Sequence, residues 1–206
     1  MSPSTRRSAT RVASFGAALA IASAPAWSAP AGGHDHHAGH ASPASEPVRS
    51  VTPHAFPRVS LVRQDGRKVE LPADIDDGRP VFLNFIYTTC TAICPPMSMV
   101  FAAFQEALGA ERDKVRLVSV SIDPEQDTPK RLDAYAKRFG AGPQWTFYTG
   151  SLEASVAVQK AFAVWRGDKM NHTPLTLVRA APGQPWVRLD GFATPEQLLA
   201  EYRRTR

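Results

Sequence analysis

Cysteine is nearly absent from this 206-residue chain: there are two, Cys90 and Cys94. That leaves a single thiol pair and no framework of bridges to hold a fold together. Glycine-rich phosphate loops and internal repeats are lacking too, which removes the sequence basis for a phosphate cradle or a repeat architecture. Nor is there a large excess of one charge. The formal +5 includes Arg6, Arg7 and Arg11 of the first segment; without them 21 basic residues stand against 19 acidic ones, a net +2 that gives no footprint for nucleic acid. Histidine is scarce where a fold is expected. Of six, His34, His36, His37 and His40 crowd one short stretch, His54 follows, and His172 alone lies deep in the chain.

The first residues read as an export signal. Arg6, Arg7 and Arg11 precede an uncharged alanine-rich stretch from Val12 to about Ala26, then small residues suited to cleavage after Ala24, Ala26 or Ser28. The mature protein is therefore expected outside the cytoplasm, in the periplasm. Arg6-Arg7 is followed by Ser8-Ala9-Thr10 rather than by the hydrophobic residue of a twin-arginine signal. The alternative is a retained anchor that touches the membrane through an uncleaved N-terminus and leaves the domain outside. The charge-free stretch from Val12 to Gly33 has the length for this, but its Ala, Ser, Gly and Pro content makes a poor span. The expected organisation is a signal over residues 1–28, a flexible histidine-rich linker over 29–55 with almost nothing to bury, and one domain over 56–206.

Val59, Leu61, Val69 and Leu71 alternate around Asp65-Gly66, a tight-turn dipeptide, and predict a hairpin. Pro80 to Tyr87 is an apolar run with the character of a buried central strand, and it delivers the cysteines to its C-terminal end. A helix is expected from Pro95 or Pro96 to about Leu108, with Met99, Phe101, Phe104 and Leu108 among its apolar positions and Gly109 at its stop. Val115 to Ile122 reads as another buried strand, Thr128-Pro129 to Gly140 as a helix, Trp145 to Tyr148 as a short strand, and Ser151 to about Trp165 as a helix. Leu175 to Val178 and Trp186 to Leu189 look like paired strands, before a last helix opened by the capping box Thr194-Pro195-Glu196-Gln197. A βαβ beginning, a ββα close and a cysteine pair at the first strand-to-helix turn point to an α/β thioredoxin-like fold: a central mixed sheet with helices on both faces and an N-terminal β-hairpin.

Three residues separate Cys90 from Cys94 where the expected helix begins. Pro95 disfavours helical geometry for Cys94, which is expected as a cap, with unpaired N–H groups of the helix start favouring its thiolate. Such a pair serves as a structural disulfide worth about 2 kcal/mol, as a redox couple, or as two soft metal ligands. In this fold the segment before the Leu175 strand lies against the cysteine loop, often through a cis proline, for which Pro174 is the candidate. His172 then comes within reach of the sulfurs, or else is a loop residue bonded to backbone. Two thiolates and an imidazole make a soft, low-coordinate set for Cu(I), and Cu(II) is accommodated by a further oxygen or nitrogen ligand. Zinc more often demands a fourth protein ligand. Asp123 is expected to orient a ligand or accept a proton, or else to make a turn; Asp127 is expected to turn the chain or cap a helix. Tyr87 and Met170 are placed near the site, with an apolar wall as the expected role of both. His34, His36, His37 and His40 either bind copper or zinc loosely or form a solvated tail.

Phe85-Ile-Tyr-Thr-Thr-Cys90-Thr-Ala-Ile-Cys94-Pro95, then Ser121-Ile-Asp123-Pro124-Glu-Gln-Asp127-Thr128-Pro129, then Asn171-His172-Thr173 resemble the SCO/SenC family in the same order, across about Phe56 to Tyr202. The resemblance implies a thioredoxin-like protein, exported or anchored, that binds copper through Cys90, Cys94 and His172 and assists copper delivery to cytochrome c oxidase. The implied partner is a copper-acceptor subunit of a respiratory oxidase or another copper chaperone. Asn171 stands where the family often has an acidic residue, and the leader looks removable where the family commonly keeps an anchor. Two other functions remain open on the same residues. One is a thiol-disulfide oxidoreductase that maintains an acceptor's cysteines with Cys90 and Cys94 as its redox pair; the other is a peroxidase or redox sensor.

Overall fold

The computed structural model describes residues 46–206; the segment read as a signal and His34, His36, His37 and His40 lie outside them. In chain order the elements are β1 (Val48–Thr52), β2 (Val59–Arg63), β3 (Lys68–Leu71), β4 (Val81–Ile86), α1 (Cys94–Ala107), β5 (Arg116–Ser121), α2 (Pro129–Arg138), β6 (Trp145–Gly150), α3 (Leu152–Ala161), β7 (Leu175–Arg179), β8 (Trp186–Asp190) and α4 (Pro195–Arg204). The eight strands form one mixed sheet in the order β1-β8-β7-β4-β5-β6-β2-β3. Its centre is the parallel run β4, β5, β6, and every other pairing is antiparallel.

All six residues of β4 and all five of β7 are buried, as expected of strands covered on both faces. Successive side chains of β4 point to opposite faces, so Phe82 meets Phe104 of α1 while Phe85 meets Phe162 just beyond α3. Helices therefore cover both faces, and the fold is thioredoxin-like. The hairpin forms as its turn dipeptide requires: Val59 pairs with Leu71 and Leu61 with Val69, and Gly66 takes a φ of +86° that favours glycine. The Thr128 hydroxyl accepts the Arg131 N–H at 3.3 Å, and Thr194 with Gln197 makes the expected capping box. Among the described residues no helix is long and apolar enough to cross a membrane.

Four local expectations are corrected. The segment read as linker contains β1, which joins the sheet edge by pairing Val48 to Thr52 with Asp190 to Trp186. Its Val48 and Val51 are exposed, so backbone pairing rather than an apolar face holds it, together with the Arg49–Glu201 ion pair at 2.8 Å. The third helix stops at Ala161 rather than near Trp165. Val164 N–H reaches Gln159 O at 2.8 Å and Ala163 N–H reaches Lys160 O at 3.0 Å, a Schellman closure with Ala163 at a φ of +53° where glycine is usual. Met99 is exposed, because the buried stripe of α1 runs through Cys94, Met97, Ser98, Phe101, Phe104 and Gln105. Pro174 is trans; the cis peptide among the described residues is Leu71-Pro72. The Pro174 carbonyl accepts Gly191 N–H at 3.0 Å, extending the β7–β8 pairing.

Candidate metal centre

Strand β4 ends at Ile86, and the chain turns through Tyr87–Ile93 into α1. Cys90 N–H closes the turn onto Tyr87 O at 3.1 Å. Helix α1 has no side-chain oxygen cap at Ile93, and Pro95 and Pro96 bring no N–H of their own. The first-turn donor that does need a partner, Cys94 N–H, points at Cys90 Sγ, 3.3 Å away. Cys90 thus fills with sulfur the role that a serine or aspartate oxygen usually plays at a helix start. Both cysteines are free thiols and both are buried.

This geometry reverses the expected asymmetry. Cys94 is the first residue of α1 rather than its cap, and burial pushes its thiol well above the ordinary value. Burial also works against ionisation of Cys90, but the Cys94 N–H, the Cys94 thiol and the N–H groups of Ala92 and Ile93 outweigh it, and the Cys90 thiol lies below its ordinary value. The helix start acidifies the cysteine that looks at it from outside, not the one inside its first turn.

A buried carboxylate braces this loop. Asp127 Oδ1 accepts the Thr88 hydroxyl at 2.5 Å and the Thr88 N–H at 3.1 Å, while Oδ2 accepts the Ser121 hydroxyl at 2.6 Å. Burial raises the Asp127 pKa, and the hydrogen bonds from Ser121 and Thr88 oppose that rise. The expected capping role falls to Thr128 instead. Asp127, Thr88 and Ser121 together tie the cysteine loop to the end of β5, a function that no local pattern announces.

His172 follows a 3-10 turn, Lys169–Asn171, and precedes β7. It is buried, and its Nε2 lies 3.1 Å from the carbonyl of Phe85 on β4. A carbonyl only accepts, so Nε2 carries the hydrogen and Nδ1 carries the lone pair of the neutral ring. Burial lowers the pKa of the imidazole, which favours that neutral form. Nδ1 is buried with no hydrogen-bond partner. An orphaned imidazole nitrogen, held by hydrogen bond to the strand that delivers two thiols, makes with them a donor set suited to a d10 cation. The three side chains do not yet converge: among the described residues no group of three or more His, Cys, Asp or Glu is arranged to hold a metal ion.

Asp123, also buried, accepts Lys169 Nζ at 2.5 Å and so links the end of β5 to the turn that carries His172. Tyr87 packs in the hydrophobic core as the apolar reading requires, whereas Met170 does not. The Tyr87 hydroxyl donates to Met170 Sδ at 3.7 Å, and Met170 is 72% exposed. A cavity of about 340 Å³ opens beside His172, lined also by Asp123, Trp165 and Lys169.

Residues 51–205 match the model of the SCO1/SenC family. The chain belongs to that family. A SCO1 protein homolog of Bacillus subtilis is 37% identical over 94 residues, which is 45% of this chain and 48% of that protein. The chain spans about half the length of the curated relatives it matches. Among solved structures, Bradyrhizobium japonicum ScoI with copper bound superposes with a TM-score of 0.62 at 25% identity, covering 73% of this chain and 99% of that one. BsSco, described as a member of the Sco family of cytochrome c oxidase assembly proteins and as carrying a disulfide switch, gives a TM-score of 0.64 at 26% identity over 77% of this chain and 96% of that one.

Proposed function

We propose that this SCO1/SenC chain binds copper through Cys90, Cys94 and His172 outside the cytoplasm and delivers it to a copper-acceptor subunit or a further copper chaperone during assembly of a respiratory oxidase. The observation that carries this reading is the buried, unpartnered Nδ1 of His172, held by Phe85 on the strand that leads to the two free thiols. Thiolates and a neutral imidazole are ligands that Cu(I) prefers, and one further oxygen or nitrogen ligand would admit Cu(II). Copper is the cargo here. Cys90, with the more acidic thiol, takes it first; Cys94 follows and releases its proton to solvent as its sulfur binds. His172 completes the set through a local movement of the segment before β7.

The copper-bound state of the B. japonicum structure supports the choice of metal. The disulfide switch of BsSco favours a second reading on the same sulfurs, thiol-disulfide exchange with an acceptor protein. Anaerobic Cu(I) titration of the reduced protein against a competing chelator separates the two. One tight equivalent is expected, lost on replacing either cysteine by serine and weakened about tenfold or more in His172→Ala. Unchanged affinity in His172→Ala removes the imidazole from the site, and no tight equivalent at all leaves only the exchange reading. We assign His34, His36, His37 and His40 as loose auxiliary ligands for copper or zinc; the same titration on a chain lacking Gly33 to Ala41 should bind fewer metals and keep the tight one.

A further inference from the structure

Met97, Met99 and Met170 are the methionines of the described residues, and they are placed very differently. Met97 is buried in the stripe of α1 as an ordinary hydrophobe, while Met99 is 64% and Met170 72% exposed. Met170 is exposed but not loose. Its N–H donates to Asp168 Oδ1 at 2.8 Å, its neighbour Lys169 is tied to Asp123, and its sulfur receives the Tyr87 hydroxyl. Tyr87 in turn accepts the Cys90 N–H on its carbonyl. One residue therefore touches both the cysteine loop and a solvent-facing thioether, and that thioether sits two positions before His172.

A thioether is a soft, uncharged donor that binds Cu(I) more weakly than a thiolate and has no proton to lose. Those are the properties of a ligand that accepts a metal ion and then gives it up. We propose that Met170 is a transient Cu(I) ligand at the entrance to the Cys90–Cys94–His172 site, where it takes the ion from a donor that carries Cu(I) on sulfur. This rests on the copper reading above. In the first exchange a Cu–S bond to Met170 forms as one donor ligand leaves. In the second a Cu–S bond to Cys90 forms, the thiol proton passes to solvent and the bond to Met170 breaks; Cys94 then displaces the remaining donor sulfur, its proton passing to solvent as that sulfur leaves. Copper stays Cu(I) throughout, and no oxidant or reductant is consumed.

Two measurements test this. In stopped-flow transfer from the Cu(I)–glutathione complex, Met170→Leu should slow loading about tenfold, equivalent to about 1.4 kcal/mol in the barrier. Met99→Leu, the similarly exposed control on α1, should load at the wild-type rate. Equal rates for the wild type and Met170→Leu overturn the proposal. In the second measurement, Ag(I) is titrated into protein carrying Cys90→Ser and Cys94→Ser with 13C-labelled methionine methyl groups. The Met170 methyl resonance should shift at lower Ag(I) concentration than that of Met99, and coincident midpoints overturn the proposal. The labelled protein has no thiols, so this result stands apart from the copper reading. A failed Cu(I) titration of the wild type sinks that reading, whereas a normal titration with no Met170 response sinks only this proposal.

Discussion

The cysteine loop and the histidine segment are both attached to β4, yet they are secured by different means. On the cysteine side Asp127 is fully buried and satisfies three donors from Thr88 and Ser121, and Cys94 N–H is satisfied by Cys90 itself. On the histidine side a 3-10 turn is tied down by the half-exposed Lys169 reaching Asp123, and the chain before it runs through a left-handed Ala163 and the partly exposed Trp165. Buried hydrogen bonds left unmade are costly, whereas ion pairs near the surface are worth little. The cysteine loop is thus held by buried bonds, and the histidine segment by one partly exposed ion pair together with the contact of His172 to the Phe85 carbonyl. On the copper reading proposed above, ligand exchange is served by a firmly held thiol half and a less firmly held imidazole half.

The contrast breaks most readily at Asp127. Asp127→Ala leaves the Ser121 hydroxyl unpaired in the interior and the two Thr88 donors unpaired at its part-buried edge, and it should cost about 3 kcal/mol in urea unfolding. If the loss is under about 1 kcal/mol, the brace is no stronger than the histidine side and the comparison fails. A smaller effect separates the two sulfurs. The Cys90 thiol lies below its ordinary value and that of Cys94 above, so at neutral pH thiolate forms first at Cys90. Alkylation by iodoacetamide, followed by peptide mass spectrometry, should modify Cys90 at least about tenfold faster. Its rate should rise with pH through a midpoint below the ordinary thiol range, and that of Cys94 through one above it; a shared midpoint refutes the asymmetry. A smaller effect than at Asp127 is expected from Lys169→Met, which removes one bond from a partly exposed lysine to the buried Asp123 carboxylate, against three bonds lost at Asp127. The same change should speed amide hydrogen exchange across Lys169–Asn171 while leaving the cysteine loop protected.

Much of this was legible locally. The apolar run of β4, the Asp65-Gly66 turn, and the caps at Thr128, Ser151 and Thr194 are each dictated by a few adjacent residues, and each forms as read. What local pattern misses depends on distant partners. β1 shows no buried alternation because its hold is the backbone of β8, and α3 ends on an alanine where glycine would have marked the stop. At the site, the spacing of Cys90 and Cys94 announces a pair. Which thiol is acidified follows only once the two prolines have stripped the helix start of donors and burial has enclosed Cys94. Asp127 looks like a turn residue beside Thr128; its partner Thr88 lies 39 positions upstream, so its bracing role appears only when β4 and β5 are side by side.

That brace bears on transplantation. Residues 85–96 carry both sulfurs and both prolines, and on sequence alone they look like a portable cassette. Moved into another thioredoxin scaffold, they would arrive without the carboxylate at the end of the neighbouring strand, and the part-buried Thr88 would lose the acceptor of both its donors. The smallest unit that can be moved intact is the loop together with β5 and its following turn through Asp127, which makes the second motif part of the cysteine loop's own architecture.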